Sequence, residues 1–94
     1  MRWADTTCED ALARELALVE RAQAQLAVDP AAALSACEAH AAQFPEGLLA
    51  QEREAAAIQA FAALGRREEA QARLGAFAER WPRSAHLERL RRLE

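Results

Sequence analysis

The chain has 94 residues, a formal net charge of −3, and a composition that is 52% hydrophobic. Alanine supplies 26 of those apolar positions, while large ones are scarce at twelve Leu, three Phe, two Val, two Trp and one Ile. That balance excludes a thick multilayer core. With only three Gly and three Pro it also excludes a turn-rich all-β chain, and it fits one small domain of closely packed helices.

Breakers at Asp29-Pro30, Phe44-Pro45-Glu46-Gly47, Leu64-Gly65 and Trp81-Pro82 divide the chain into five segments of helical length. The first helix is expected over residues 8–27. Thr6 is its N-cap, Glu9 completes a capping box, and Leu12, Leu16, Val19 and Leu26 form the apolar stripe. The second spans 30–43, with Asp29 as cap and Pro30 at the first helical position. The third runs from 46 to 64, presents Ile58, Phe61 and Leu64, and ends at Gly65 in a left-handed cap. The fourth covers 67–80. The fifth covers 84–93, capped by Ser84, with Leu87, Leu90 and Leu93 on one side. The expected core is Leu16, Val19, Leu26, Leu34, Cys37, Ala41, Phe44, Ile58, Phe61, Leu64, Ala70, Leu74, Phe77, Trp81, Leu87 and Leu90.

An internal repeat organises these helices. A shift of 37 residues lays Ala33 on Ala70, Cys37 on Leu74, His40 on Phe77, Ala41 on Ala78, Phe44 on Trp81 and Pro45 on Pro82. The spacing i, i+4, i+7, i+8, i+11 is one face of a helix. Two helices per period of this length indicate stacked helical hairpins.

The stretch from Phe61 through Leu64-Gly65 and Glu68-Glu69-Ala70 to Leu74, Phe77 and Pro82 resembles a tetratricopeptide repeat. Ala33, Cys37, His40 and Pro45 resemble the second half of a preceding one. The resemblance covers residues ~10–93 and departs from the motif at Glu54 and Ile58. The Phe-Pro and Trp-Pro-x-Ser endings are weakly similar to bacterial envelope-associated proteins of this kind. The resemblance implies an all-α fold of two stacked antiparallel hairpins plus a C-terminal helix, in a right-handed superhelix. It implies that a small Ala70 lets backbones approach, so a leucine there would overpack the hairpin. It further implies a concave groove for a peptide or partner helix, lined by Glu20, Ala24, Glu52, Ala55, Gln59, Ala62, Arg83, Ser84, His86 and Arg89. Glu20, Glu52, Gln59, Arg83, His86 and Arg89 are the candidate partner-binding residues, with Arg83 and Arg89 available to a carboxylate.

Chemistry beyond binding finds little support. His40 lies in the phase of Phe77 on an apolar stripe, as a satisfied buried imidazole would. His86 stands in the first turn of the last helix, and neither belongs to a metal motif. Glu68 and Glu69 are adjacent and point apart on a helix. No nucleophile elbow or phosphate-cradling loop occurs. No catalytic or metal site and no cofactor is therefore expected, and the chain reads as a non-enzymatic interaction module or scaffold. An alternative is a sensory or regulatory domain of a bacterial anti-sigma-type or envelope signalling protein.

Cys8 and Cys37 sit at unequal distances from the first hairpin turn, an offset of roughly 16 Å at ~1.5 Å per residue, so both are expected to be free thiols. Residues 1–60 carry four Arg against ten acids, or −6, and residues 61–94 carry eight Arg against five acids, or +3. Such a dipole suits head-to-tail association or an acidic partner. Negative net charge without a basic patch argues against nucleic acid. No apolar run spans a membrane, and no signal-like stretch opens the sequence. Two repeats fall short of the three or so a solenoid needs. A weak homo-oligomer, or docking on the rest of a longer chain, is the expected remedy. Trp3 is expected to staple onto the first helix or to remain as an exposed contact.

Overall fold

The computed structural model describes the backbone of residues 3–93 and the side chains of residues 10–93. Five helices follow one another: α1 (Trp3–Gln25), α2 (Pro30–Gln43), α3 (Ala50–Ala63), α4 (Arg67–Arg80) and α5 (His86–Arg91). The fold is all-α, with no strand among the described residues.

Local chemistry sets most of the helix ends. The Asp29 carboxylate accepts from the Ala32 amide at 3.2 Å, and Pro30 occupies the first helical position. At the other turn Gly65 adopts φ +77°, where only glycine is unstrained. Its amide donates to the Ala62 carbonyl and the Arg66 amide donates to Phe61, which closes α3 in a Schellman motif.

Consecutive helices pack in hairpins, α1 on α2 and α3 on α4, and α3 also packs back on α2. Among the described residues α1 touches α3 and α3 touches α5, whereas α2 and α4 do not touch. The odd helices thus line one side and the even helices the other. The shortest dimension, 19 Å, is that of two helix layers.

The 37-residue repeat is built into the backbone. Phe44 ends α2 at φ −135°, ψ 64°, and Trp81 ends α4 at φ −129°, ψ 69°. The Gly47 amide donates to Phe44 and the Ser84 amide to Trp81. The Ala50 amide donates to Gly47 and the Leu87 amide to Ser84. Each pair is the same turn, one period apart.

Two apolar clusters result. Ala22 of α1, Ala33, Leu34, Ala36 and Cys37 of α2, Ala56, Ala57, Ala60 and Phe61 of α3, and Ala70 of α4 form the first. Alanine dominates it because small side chains let helix axes approach closely. Ala55, Ile58, Leu74, Phe77, Leu87 and Leu90 form the second.

Several expectations need correction. α1 includes Thr6 rather than starting after it, and the side chains of Trp3, Thr6, Cys8 and Glu9 lie outside the described residues. It ends at Gln25, where a turn over residues 26–28 begins. α3 starts at Ala50 instead of residue 46, because residues 44–49 form the loop that closes over Glu15. α5 is confined to His86–Arg91, with Ser84 outside it. Leu16 is 44% exposed and Leu64 39% exposed, so neither belongs to the core. Leu26, Ala41, Phe44 and Trp81 are only half-buried. Among the described side chains of α1 the buried ones are Glu15, Val19 and Ala22, a stripe turned away from Leu12 and Leu16.

Candidate functional site

Three places on this scaffold bring polar or open surface together: a buried polar chain across four helices, a polar strip shared by α3 and α5, and an apolar groove beside α5.

The buried chain begins at Glu15, which is only 4% exposed. One of its oxygens accepts from the Leu49 amide at 2.6 Å and lies 3.1 Å from His40 Nε2. On the far side of the ring, Arg53 Nη1 lies 3.2 Å from His40 Nδ1. A guanidinium only donates, so Nδ1 accepts and Nε2 carries the hydrogen given to Glu15. Arg53 Nε donates to Glu54 at 3.0 Å, and Arg73 donates to the other oxygen of Glu54 at 3.2 Å. The relay therefore passes from α1 through α2 and α3 to α4. His40 is fully buried, and among the described residues no buried side-chain nitrogen or oxygen lacks a partner. Gly47 makes this possible, since a Cβ there would collide with the Glu15 carboxylate. The ring is held on both nitrogens and closed to solvent, so the arrangement fixes the hairpins' register and presents nothing to a substrate.

The sequence reasoning placed His40 in a buried, satisfied setting, and it is there. It missed Glu15 and Arg53, because an acid and an arginine on helices read as surface. The available signal was phase. Glu15 precedes Val19 and Ala22 at i+4 and i+7, and Arg53 stands three residues from Ala50 and four from Ala57.

Cys37 adjoins the relay, its Sγ donating to the Arg53 carbonyl at 3.5 Å. Burial pushes its thiol up from 9.0 to about 11; Glu54 adds to this, and Arg53 and Arg73 oppose it. It is a free cysteine, while the Cys8 side chain lies outside the described residues.

Of the candidate partner-binding residues, three converge. His86 Nε2 stands 3.8 Å from a Glu52 oxygen, and Arg89 Nη2 lies 3.1 Å from His86 Nδ1. Gln59, two turns after Glu52, is half-buried on α3. Ser84 Oγ donates to Gln51 and accepts from the His86 amide, so Ser84 anchors the start of α5 as expected, from just outside the helix. Arg83 is exposed beside Trp81, Pro82 and Ser84 at a shallow cleft whose lining does not include that trio. Glu20 is exposed on α1 and makes no ion pair among the described residues. Ala55, expected in the groove, is buried in the second cluster instead.

The open groove lies where α5 stops. A cavity of about 380 Å³ has Ile58 of α3, Ala70 and Leu74 of α4 and Leu90 of α5 as its buried floor, and half-buried Ala62 with exposed Gly65, Arg67, Gln71 and Leu93 as its rim. Its counterpart in the first hairpin is closed, because α3 lays Ala56, Ala57, Ala60 and Phe61 over Ala33 and Cys37. α3 has 14 residues and covers its neighbouring hairpin fully, whereas α5 has six and covers only the half near Phe77.

Among the described residues no cluster of three or more His, Cys, Asp or Glu is placed to hold a metal ion, and no helix is long and apolar enough to cross a membrane. No protein-family model, curated protein or solved structure matches the chain.

Proposed function

We propose that this chain is a protein-interaction module of tetratricopeptide-like helical hairpins that takes an amphipathic helix into the groove between α3, α4 and α5. The observation that carries this reading is the half-filled groove. The same pair of walls, one period earlier, is closed by a helix, which supports reading the open half as a helix seat whose accessible apolar residues are Ala62 and Leu93. Laying an apolar helix face into a groove is a recurrent recognition mode, read through i, i+3 or i+4 anchors. Glu52, His86 and Arg89 offer polar contacts on α3 and α5. In this reading the module is non-enzymatic and needs no cofactor. A right-handed superhelix is the stacking its resemblance implies.

A fluorescent peptide spanning residues 47–65 supplies the test, since its sequence already fills the equivalent seat within the chain. It should bind saturably and lose about ten-fold in affinity, about 1.4 kcal/mol, in Ala62→Glu. Glu38→Ala, on the exposed side of α2, should leave binding unchanged. Absence of binding, or equal binding to Ala62→Glu, rejects the groove as the used surface.

A further inference from the structure

The occupant of that groove can be read from the rest of the chain, and this step rests on the helix-seat reading above. The helix that closes the first hairpin meets it with small and apolar residues at i, i+1, i+4 and i+5: Ala56, Ala57, Ala60 and Phe61. One other helix carries that pattern outward. On α1, Leu12, Ala13, Leu16 and Ala17 repeat the same spacing, and all four are exposed. Six large apolar residues are exposed among the described ones, and only Leu12 and Leu16, at 46% and 44%, lie within a helix. One more, Leu93, borders the groove itself.

Charge points the same way. Residues 1–60 carry −6 and residues 61–94 carry +3. Glu20 continues the α1 stripe one turn after Leu16, and Arg67 stands at the groove's edge. Arg14 falls about 200° round the helix from Leu12, on the opposite side. An acidic, leucine-bearing helix thus matches a seat that offers Arg67 at its edge and Ala62 and Leu93 as accessible apolar residues, in the basic part of the same molecule.

We infer that the groove between α3, α4 and α5 receives the Leu12–Leu16 face of α1 from a second copy of this chain, head to tail. Two different surfaces meet in such a contact, so it propagates unless the rotation happens to close a ring. It would also extend the stack beyond the two hairpins of the described residues.

Sedimentation velocity of the full chain tests this, from about 10 µM to about 1 mM. The weight-average mass should rise past that of a dimer. Leu16→Glu breaks the α1 face and Ala62→Glu breaks the seat; each position is solvent-accessible, and circular dichroism confirms that the helices persist. Each variant alone should associate at least about ten-fold more weakly. An equimolar mixture should form dimers and stop there, because one intact face and one intact seat remain. A wild-type chain that stays monomeric throughout overturns the inference, as do variants that associate undiminished or a mixture that fails to pair. If the residue 47–65 peptide still binds a chain that never self-associates, the second copy is excluded while the seat remains a helix site.

Discussion

His40 and Phe77 occupy the same position in successive units. Each ring packs at a tilt against the aromatic residue that ends its helix, His40 against Phe44 at 5.6 Å and Phe77 against Trp81 at 4.9 Å. Their other neighbours correspond as well. Arg53 meets His40 in the first unit, and Leu90, 37 residues after Arg53, joins the cluster of Phe77 in the second. One joint is polar and hydrogen-bonded, and the other is apolar.

That equivalence makes the polar joint replaceable as a unit and fragile in parts. His40→Ala strands a buried carboxylate and a buried guanidinium, which should cost about 3 kcal/mol. His40→Phe combined with Arg53→Leu and Glu15→Gln copies the second joint and leaves the Leu49 amide an acceptor. Urea unfolding should show the triple variant at least as stable as the wild type. A triple variant less stable than His40→Ala would show that the two joints are not interchangeable.

Gly47 and Gly65 are required for different reasons, and the two are separable. A Cβ at Gly65 meets no atom within 4 Å, so Gly65→Ala should cost only the left-handed backbone penalty, about 1 kcal/mol. A Cβ at Gly47 strikes the Glu15 carboxylate, which is pinned by Leu49 and His40. Gly47→Ala should cost roughly 2–3 kcal/mol by displacing that group from its buried partners. The cost should largely vanish in a Glu15→Ala background, a coupling that a double-mutant cycle measures directly. Additive effects would mean that the collision is relieved some other way.

The hairpins were legible because their punctuation is local. Asp29-Pro30 and Leu64-Gly65 act within a few residues of themselves, and the 37-residue echo of Phe44-Pro45 in Trp81-Pro82 marks the unit. The register of α1 was not legible. Hydrophobic patterning puts Leu12 and Leu16 inside, but the close approach of α1 selects Ala22 and Val19, and the Leu49 amide draws Glu15 under the loop. A carboxylate goes inside only because α2, α3 and the loop after α2 each supply a partner for its network, and no local spacing states that. Of the six candidate binding residues, Glu52, His86 and Arg89 lie together because odd helices sit side by side, while the spacing did not set them apart from Glu20, Gln59 and Arg83. The groove was not legible, because it depends on how α3, α4 and α5 come together, which no local spacing states.

Ala33 and Ala70 should respond unequally to enlargement, although they are equivalent in the repeat. Ala33 is fully buried beneath α3, and Ala70 borders the open groove. Ala33→Leu has no space and should lose about 1–3 kcal/mol. Ala70→Leu was expected from the sequence to overpack; with a cavity of about 380 Å³ beside it, it should be the milder of the two. Thermal melts of the two variants decide the order, and equal losses would mean that the α3–α4 seam, not the groove, receives the Ala70 side chain.

Cys37 gives the chain an alkaline limit that is unusually clean to observe. Its thiol rises from 9.0 to about 11 because burial disfavours the thiolate. Below pH 9 the thiol is protonated in both the folded and the unfolded chain, so it adds no pH dependence. Between pH 9 and 11 the unfolded chain ionises first and holds fewer protons than the folded one. Stability therefore falls as pH rises through that window, by at most roughly 2–3 kcal/mol. The sequence contains neither Lys nor Tyr, which in most proteins titrate over the same range. In a Cys8→Ala background, urea midpoints should decline from pH 9 to pH 11, and Cys37→Ala should flatten the decline. Ellman's reagent at pH 8 should react with Cys37 only after unfolding, since the buried thiol offers little thiolate and no access. Prompt reaction in the folded state, or a pH profile indifferent to Cys37→Ala, would place the thiol at the surface rather than against the Arg53 carbonyl.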